Sequence, residues 1–454
     1  MLRFSAWIRR QRWLKAVYQH VPASLRGKVS MALAAGSSAS FGNLPKSATD
    51  TEAFQPAAPR DSARAIYGDS AGVNVFAYLR GQFGLGESAR MYSRALLDIG
   101  YPAALHNVDI DLPHSCKDHS LDAFMSEDAP HPVNLICVNP NSFEATLKVI
   151  GDARSRGRYV IASWFWELER IPDEWLPVLD HVDEIMVATR FIEDAFRRAT
   201  NKPVLRVPLP LGDVVDSGLT RSDFGLPQDK FLFLCTFDFN GWVSRKNPEA
   251  VLNAFRRAFP PGRDDVCLLV KSSNGHRHPE KLMALMQAAG EDQRILVRDD
   301  VIEREHVHAL QRCADAYVSL HRAEGFGMGL AECMRLGKPV IGTAWSGNVD
   351  FMNHDNSCLV NYRLVPVAKD DYVGAEKGAR WAEADVDHAA ESMRRLVDEP
   401  GFAARIGAQA SRDMRDHNSP AGAAHTIAQR LGRLAAERAP ADEASPITNQ
   451  KARA

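Results

Sequence analysis

His321-Arg322-Ala323-Glu324-Gly325-Phe326-Gly327-Met328-Gly329-Leu330-Ala331-Glu332 is the densest signal in the chain. It follows a predicted strand at 316–320 and enters a short helix that Gly337 ends, so a strand, a glycine-rich turn and a helix N-terminus meet there. Free backbone N–H groups and the positive helix end then converge, which suits a phosphate or a polyol oxygen. Gly325, Gly327 and Gly329 let a ligand come close to the backbone. Glu324 precedes the turn and Glu332 lies about two turns further on, so the two carboxylates bracket one ligand at different points. A tight turn with two solvated acids is the plainer account of such a stretch on its own. The surrounding sequence decides between the two.

Working outward, 231–237, 266–271, 294–297, 316–320 and 339–343 read as strands with helices between them. In the helix after Pro248, Asn247 is a suitable N-cap, Pro248 fits the first turn, and Val251, Ala254, Phe255 and Ala258 form the apolar face. A similar series stands upstream, with strands at 73–78, 133–138, 159–163, 184–188 and 204–208. There a helix over 87–99 carries Tyr92, Ala95, Leu96 and Ile99 on one face, and Gly100 closes it. The rhythm predicts an α/β protein of two Rossmann-like, doubly wound domains facing across a cleft, at 69–212 and 213–439. The second ends in a C-terminal helix, and 440–454 reads as a flexible tail.

The chain has 454 residues, with 55 Lys and Arg against 57 Asp and Glu and a formal net charge of −2. That balance gives no global sign of nucleic-acid binding. The longest strongly apolar run, 231–237, is far short of the roughly 18 residues a spanning helix needs. Seven dispersed cysteines without a Cys-x-x-Cys pair point to a reducing compartment, and the arginines among the first residues break up any secretory core. The expected location is the cytoplasm. Residues 1–68 form a basic N-terminal extension: an amphipathic stretch with Arg3, Arg9, Arg10, Arg12 and Lys15 among Phe4, Trp7, Ile8 and Leu14, then a Ser/Ala/Pro-rich segment at 34–69 that reads as a mobile linker. Peripheral contact with an anionic membrane fits the amphipathic stretch. A helix packed on the folded body fits it equally well.

Four further segments bear on chemistry. Arg245 and Lys246 stand just before a predicted helix N-terminus, where their charges and the dipole add to hold a diphosphate. Gly81-Gln-Phe-Gly84-Leu-Gly86-Glu87 follows the opening strand, with a spacing unlike the Gly-x-Gly-x-x-Gly of dinucleotide sites. Trp164, Trp166 and Glu167 follow the strand at 159–163, where ligands of α/β sheets bind, and offer an acceptor-sugar platform; core packing accounts for the tryptophans as well. His114, Cys116, Asp118 and His119 are metal-ligand types but read as an exposed loop, and the pairs His276/His278 and His306/His308 as surface residues, with His276 the one that could face the cleft.

The Glu324-to-Glu332 stretch resembles the Glu-x7-Glu motif of retaining glycosyltransferases with the GT-B fold. Glu-Gly-Phe-Gly followed by Ala-Glu-Cys-Met resembles glycosyltransferase family 4. The resemblance is strong over 231–359, weaker over 72–211 and absent from the extension. It implies that Glu324 meets the transferred sugar's hydroxyls, that Glu332 binds the nucleotide ribose with Gly325, Phe326 and Gly327 beside it, that Lys246 and Arg245 hold the donor phosphates, and that Gly84 and Gly86 belong to the loop approaching them from the first domain. Two departures stand out: Gly241 and Asn240 replace an arginine five or six positions before Lys246, and the segment at 163–169 has no histidine.

The implied activity is transfer of a hexose from a GDP- or UDP-sugar to a glycan or lipid-linked acceptor in surface polysaccharide or glycan synthesis. The nucleotide sugar is a co-substrate. No further cofactor and no metal are expected, since no Asp-x-Asp pair stands at a convincing strand end. With groups drawn from both domains, closure about a hinge near 209–213 and the C-terminal helix is expected. A sugar-nucleotide epimerase on the same architecture and a non-catalytic nucleotide-sugar-binding subunit are the alternatives; the first needs no acceptor site and the second no intact Glu324, Glu332 and Lys246.

Overall fold

The computed structural model describes residues 40–42, 44–45, 53–67, 72–110, 114–368 and 371–438. It contains two six-stranded parallel sheets, one per domain. The first comprises β1 (Val73–Ala77), β2 (Ala103–Asn107), β3 (Val133–Cys137), β4 (Tyr159–Ser163), β5 (Glu184–Val187) and β6 (Val204–Arg206), in the order β2-β1-β3-β4-β5-β6. The second comprises β7 (Phe231–Asp238), β8 (Val266–Ser273), β9 (Ile295–Asp299), β10 (Ala316–Ser319), β11 (Val340–Thr343) and β12 (Cys358–Val360), in the order β12-β11-β10-β7-β8-β9. Helices cover both faces, so the central strands are buried along their length and read as continuous apolar runs. This is the two-domain α/β architecture expected.

Strand order fixes where ligands go. In the second sheet the chain proceeds outward from β7 through β8 and β9, then returns to β10 on β7's other side. That reversal opens a crevice beyond the C-terminal ends of β7 and β10. The loops after those strands hold Arg245, Lys246 and Glu324. In the first sheet the corresponding reversal lies between β1 and β3, and the loops that follow them carry Phe83, Gly84 and Asn139.

Several expectations need correction. β2 and β12 were not predicted, nor was the antiparallel hairpin β13 (Tyr362–Pro366) and β14 (Arg380–Ala384). Asn247 stands at the N-cap position of the helix Pro248–Ala258 but is left-handed (φ 50°) and makes no side-chain cap hydrogen bond; it also ends the short helix Val243–Lys246, and that double duty sets its backbone. The segment read as a mobile linker packs where it is described. Phe41 rests edge-on against Phe224 of the second domain, while Phe54 contacts Phe124 of the first and Ala63 N–H donates to the Gly100 carbonyl. His306 is buried beneath that segment, its Nε2 2.8 Å from the Pro45 carbonyl, and is no surface residue. The amphipathic stretch up to residue 39 and the tail at 440–454 lie outside the described residues.

Helices Val386–Asp398 and Pro400–His417 stay with the second domain, but Pro420–Arg438 crosses back and packs on the helix Gly84–Asp98 of the first. At the crossing, Leu211 N–H donates to the Asn418 carbonyl and Asn418 Nδ2 to the Leu209 carbonyl. Arg430 then pairs with the buried Glu184 on β5. The C-terminal helix therefore completes the first body, in space, instead of the second.

Candidate functional site

A cleft of about 580 Å3 lies between the two sets of loops. At its centre is a three-charge cluster. Lys246 Nζ donates to Glu324 Oε1 at 2.5 Å, and Arg245 Nη1 to Glu324 Oε2 at 3.0 Å and to the Ala323 carbonyl at 2.8 Å. Burial alone would raise the pKa of Glu324, but the Lys246 and Arg245 charges outweigh it and hold the carboxyl well below the usual carboxylate range. Burial and the like charge of Arg245 pull Lys246 below its ordinary value. Burial also opposes the charge on Arg245, yet Glu324 and Glu167 hold it above its ordinary value. Arg245 Nη2 lies 3.2 Å from the Gly241 carbonyl. Its guanidinium thus reaches the spot left open by the glycine that replaces the expected arginine.

The turn behaves as its glycines require. Gly327 adopts φ +95° and caps the helix Met328–Arg335, whose N-terminus faces the cleft beside Gly325 and Phe326. Across the cleft, Thr189 Oγ1 donates to the Gly325 carbonyl at 2.8 Å, and a Cβ on Gly325 would stand 3.1 Å from the Trp166 carbonyl. The turn is pressed against the first domain.

Glu332, 2% exposed, accepts from Gln311 Nε2 at 2.7 Å and pairs with Arg304. Arg304 also lies 3.8 Å from Glu87 of the first domain. Burial opposes its charge, but Glu332 and Glu87 raise its pKa above the ordinary value. The sequence reading missed Arg304 and Gln311. Their signal was there: seven positions apart on one helix, Arg304–Cys313, they share a face.

From the first domain, Gly84 opens its helix on the cleft wall. Gly86 is buried behind it, where a Cβ would meet the Gly81 carbonyl at 2.3 Å, so it serves close packing of loop on helix and does not face the cleft. Trp164 is also corrected. It is fully buried, its indole N–H donates to the Val138 carbonyl at 2.8 Å, and its ring packs on Phe143 and Phe196. Those aromatic neighbours, and a carbonyl that satisfies its N–H, make that side chain part of the core. Trp166 lines the cleft, though only 3% exposed, with Trp175 at its ring. Glu167 projects into it, 3.7 Å from Arg245 and hydrogen-bonded by the Tyr372 hydroxyl.

Tyr372, from the β13–β14 connection, was not anticipated. Its ring sits 5.9 Å from that of Trp242 and 5.9 Å beneath the Arg245 guanidinium. The residues at 114–119 do not converge: His114 stacks on Phe83 at the cleft wall, Asp118 pairs with Arg90, and His119 with Asp122. His276 is exposed and does not line the cleft.

Residues 230–398 match the family model described as "Glycosyl transferases group 1". No curated protein sequence matches the chain. Among solved structures, HepE of Anabaena in complex with UDP and glucose is 12% identical with a TM-score of 0.57, covering 80% of this chain and 100% of that one. Sucrose-phosphate synthase of Thermosynechococcus elongatus is 15% identical with a TM-score of 0.60, covering 81% and 100%. A glycosyltransferase from Rickettsia africae is 11% identical with a TM-score of 0.58, covering 81% and 99%. At these identities the likeness establishes the fold, which is GT-B, and the match to the group 1 model lies within the second domain.

Proposed function

We propose that the protein is a retaining glycosyltransferase of the family 4 kind, moving a hexose from a nucleotide-diphosphate sugar to a glycan or lipid-linked acceptor. The observation that carries this is the buried Glu324 held between Lys246 and Arg245 at the strand-order reversal, with a glycine turn and a helix N-terminus beside it. In the reaction the bond from C1 to the diphosphate oxygen breaks, and its electron pair leaves with the phosphate. The acceptor oxygen bonds C1 on the same face, and its proton passes to the departing phosphate oxygen. The demand on the protein is preorganised positive charge where the diphosphate develops. Lys246, Arg245 and the amides of 325–327 supply it, so transfer proceeds without a metal. In this reading Glu332, held by Arg304 and Gln311, receives the nucleotide's ribose, and Glu324 meets the hydroxyls of the transferred ring.

HepE, on the same fold, was solved with UDP and glucose, which makes UDP-glucose the first donor to test. Incubation with UDP-glucose, UDP-N-acetylglucosamine and GDP-mannose, with and without EDTA, is expected to give binding or slow hydrolysis of one donor that chelation leaves unchanged, and NMR of the product to show the donor's anomeric configuration. Binding of none of them overturns the reading. Among the described residues no helix is long and apolar enough to cross a membrane. Attachment to an anionic surface through the basic extension is proposed in its place, at the cytoplasmic face of the inner membrane. Anionic liposomes should sediment the full chain but not one lacking residues 1–39.

A further inference from the structure

Beyond the catalytic cleft lies a second cavity of about 740 Å3, within the range of small-molecule sites. It is lined on one side by the β13–β14 connection, including Val367, Ala375 and Glu376, and on the other by Glu174 of the first domain and by Trp242. The two spaces adjoin, with Glu174, Trp242 and Tyr372 lining both. Contacts already described lead from one to the other: Glu324 holds Arg245, Arg245 leads to Glu167 and Tyr372, and Tyr372 to Trp242, which lines the second cavity. A ligand in that cavity therefore lies next to the transferred sugar that Glu324 is read to meet.

Trp242 is held there at a cost. It has φ +63°, a left-handed conformation that a bulky residue adopts only when its surroundings impose it. Its indole N–H has no hydrogen-bond partner among the described residues. Glu174 is exposed and likewise without one. Glu376 uses Oε1 to accept the Asp173 N–H at 2.9 Å, leaving its other oxygen available. An aromatic face with carboxylates around it is the chemistry that recognises a sugar ring: the face packs on its C–H groups and the acids accept from its hydroxyls.

We infer that the acceptor is a carbohydrate of two or more rings, and that its second ring seats in this cavity on Trp242, with Glu174 and Glu376 accepting from its hydroxyls. The inference rests on the glycosyl-transfer reading above and specifies its acceptor. The test uses the full chain, saturated with UDP, on an array of defined mono-, di- and trisaccharides. Every bound glycan is expected to have at least two rings. Ala375→Trp, which fills the cavity from a position that does not line the catalytic cleft, should weaken those glycans tenfold or more, and Glu174→Gln severalfold, while calorimetric UDP affinity stays within twofold. Monosaccharides bound as tightly as longer glycans, longer glycans indifferent to Ala375→Trp, or UDP binding with no glycan retained would each overturn it. Failure of the unmodified chain to bind any nucleotide would instead bring down the transfer reading, and this inference with it.

Discussion

The second domain gives the cleft Arg245, Lys246, Glu324 and Arg304, ionic groups that, with the buried Glu332 behind Arg304, chiefly neutralise one another. The first gives it mostly rings and backbone, in Phe83, Trp166 and Gly84, together with two acids that reach across. Glu167 lies 3.7 Å from Arg245 and Glu87 3.8 Å from Arg304. Each cross-domain acid thus meets a cation that already has a partner in its own domain. The clustered cations reside on one wall, and the other wall supplies shape and one acid each for Arg245 and Arg304. Parting the domains leaves both cations with one acid fewer and exposes them to water in its place.

The largest effect should come from the wall that does not carry the charge. Trp164→Ala empties a core position and is expected to cost about 3–5 kcal/mol of stability in urea unfolding. An unchanged midpoint together with lost acceptor affinity would return Trp164 to the cleft. Next, Glu324→Gln and Lys246→Ala should each lower kcat about a hundredfold, or roughly 3 kcal/mol of transition-state stabilisation, at unchanged melting temperature. Near-normal turnover in both would dissolve the distinction between the walls. Glu167→Gln takes away only the counter-charge and should cost about tenfold in kcat/KM. A loss matching that of Glu324→Gln would make the first domain an equal partner in the chemistry.

The smallest effect lies at the far edge of the first sheet. His106 is buried against Phe76, with neither ring nitrogen hydrogen-bonded among the described residues, and burial pulls its pKa down to about 4. The fold therefore holds it neutral while the unfolded chain takes up a proton below about 6.5. Its contribution is whole above that value and is lost as pH falls toward 4, on the order of 1 kcal/mol by about pH 5.8. In His106→Phe, melting temperature should fall less steeply over that window. Identical pH profiles would show that this ring does not control it.

How legible the molecule was in its sequence differs between its local and its convergent parts. The turn of the second domain announced itself because it is local: Glu324, the glycines and Glu332 occupy successive turns after one strand, and Arg245 and Lys246 are adjacent. The residues of that same domain that arrive by long-range convergence, Arg304, Gln311 and Tyr372, stayed hidden. Tyr372 arrives on a hairpin whose first strand is largely exposed and follows β12 after a single residue, so no apolar run marks it. β2 escaped because Ala103 and Ala104 lack the branched side chains that flag a strand. Trp164 and Trp166 illustrate the remaining gap. Both orientations satisfy the composition of the segment, and only the path of the chain after β4 sends one ring inward and leaves the other at the cleft.

The crossing of the last helix has a consequence for the birth of the molecule. Pro420–Arg438 buries Ala424, Ile427, Ala428, Leu431 and Leu434 against the body that begins at β1. A ribosome finishes that body's strands by Arg206, yet its covering helix emerges only after the whole second domain, roughly ten to forty-five seconds later at about 5–20 residues per second. For that interval the nascent first body carries an open apolar seam, the kind of surface that chaperones bind. The usual order of domain-by-domain maturation is inverted here: the body translated second can finish first, and the one translated first must wait for the helix Pro420–Arg438.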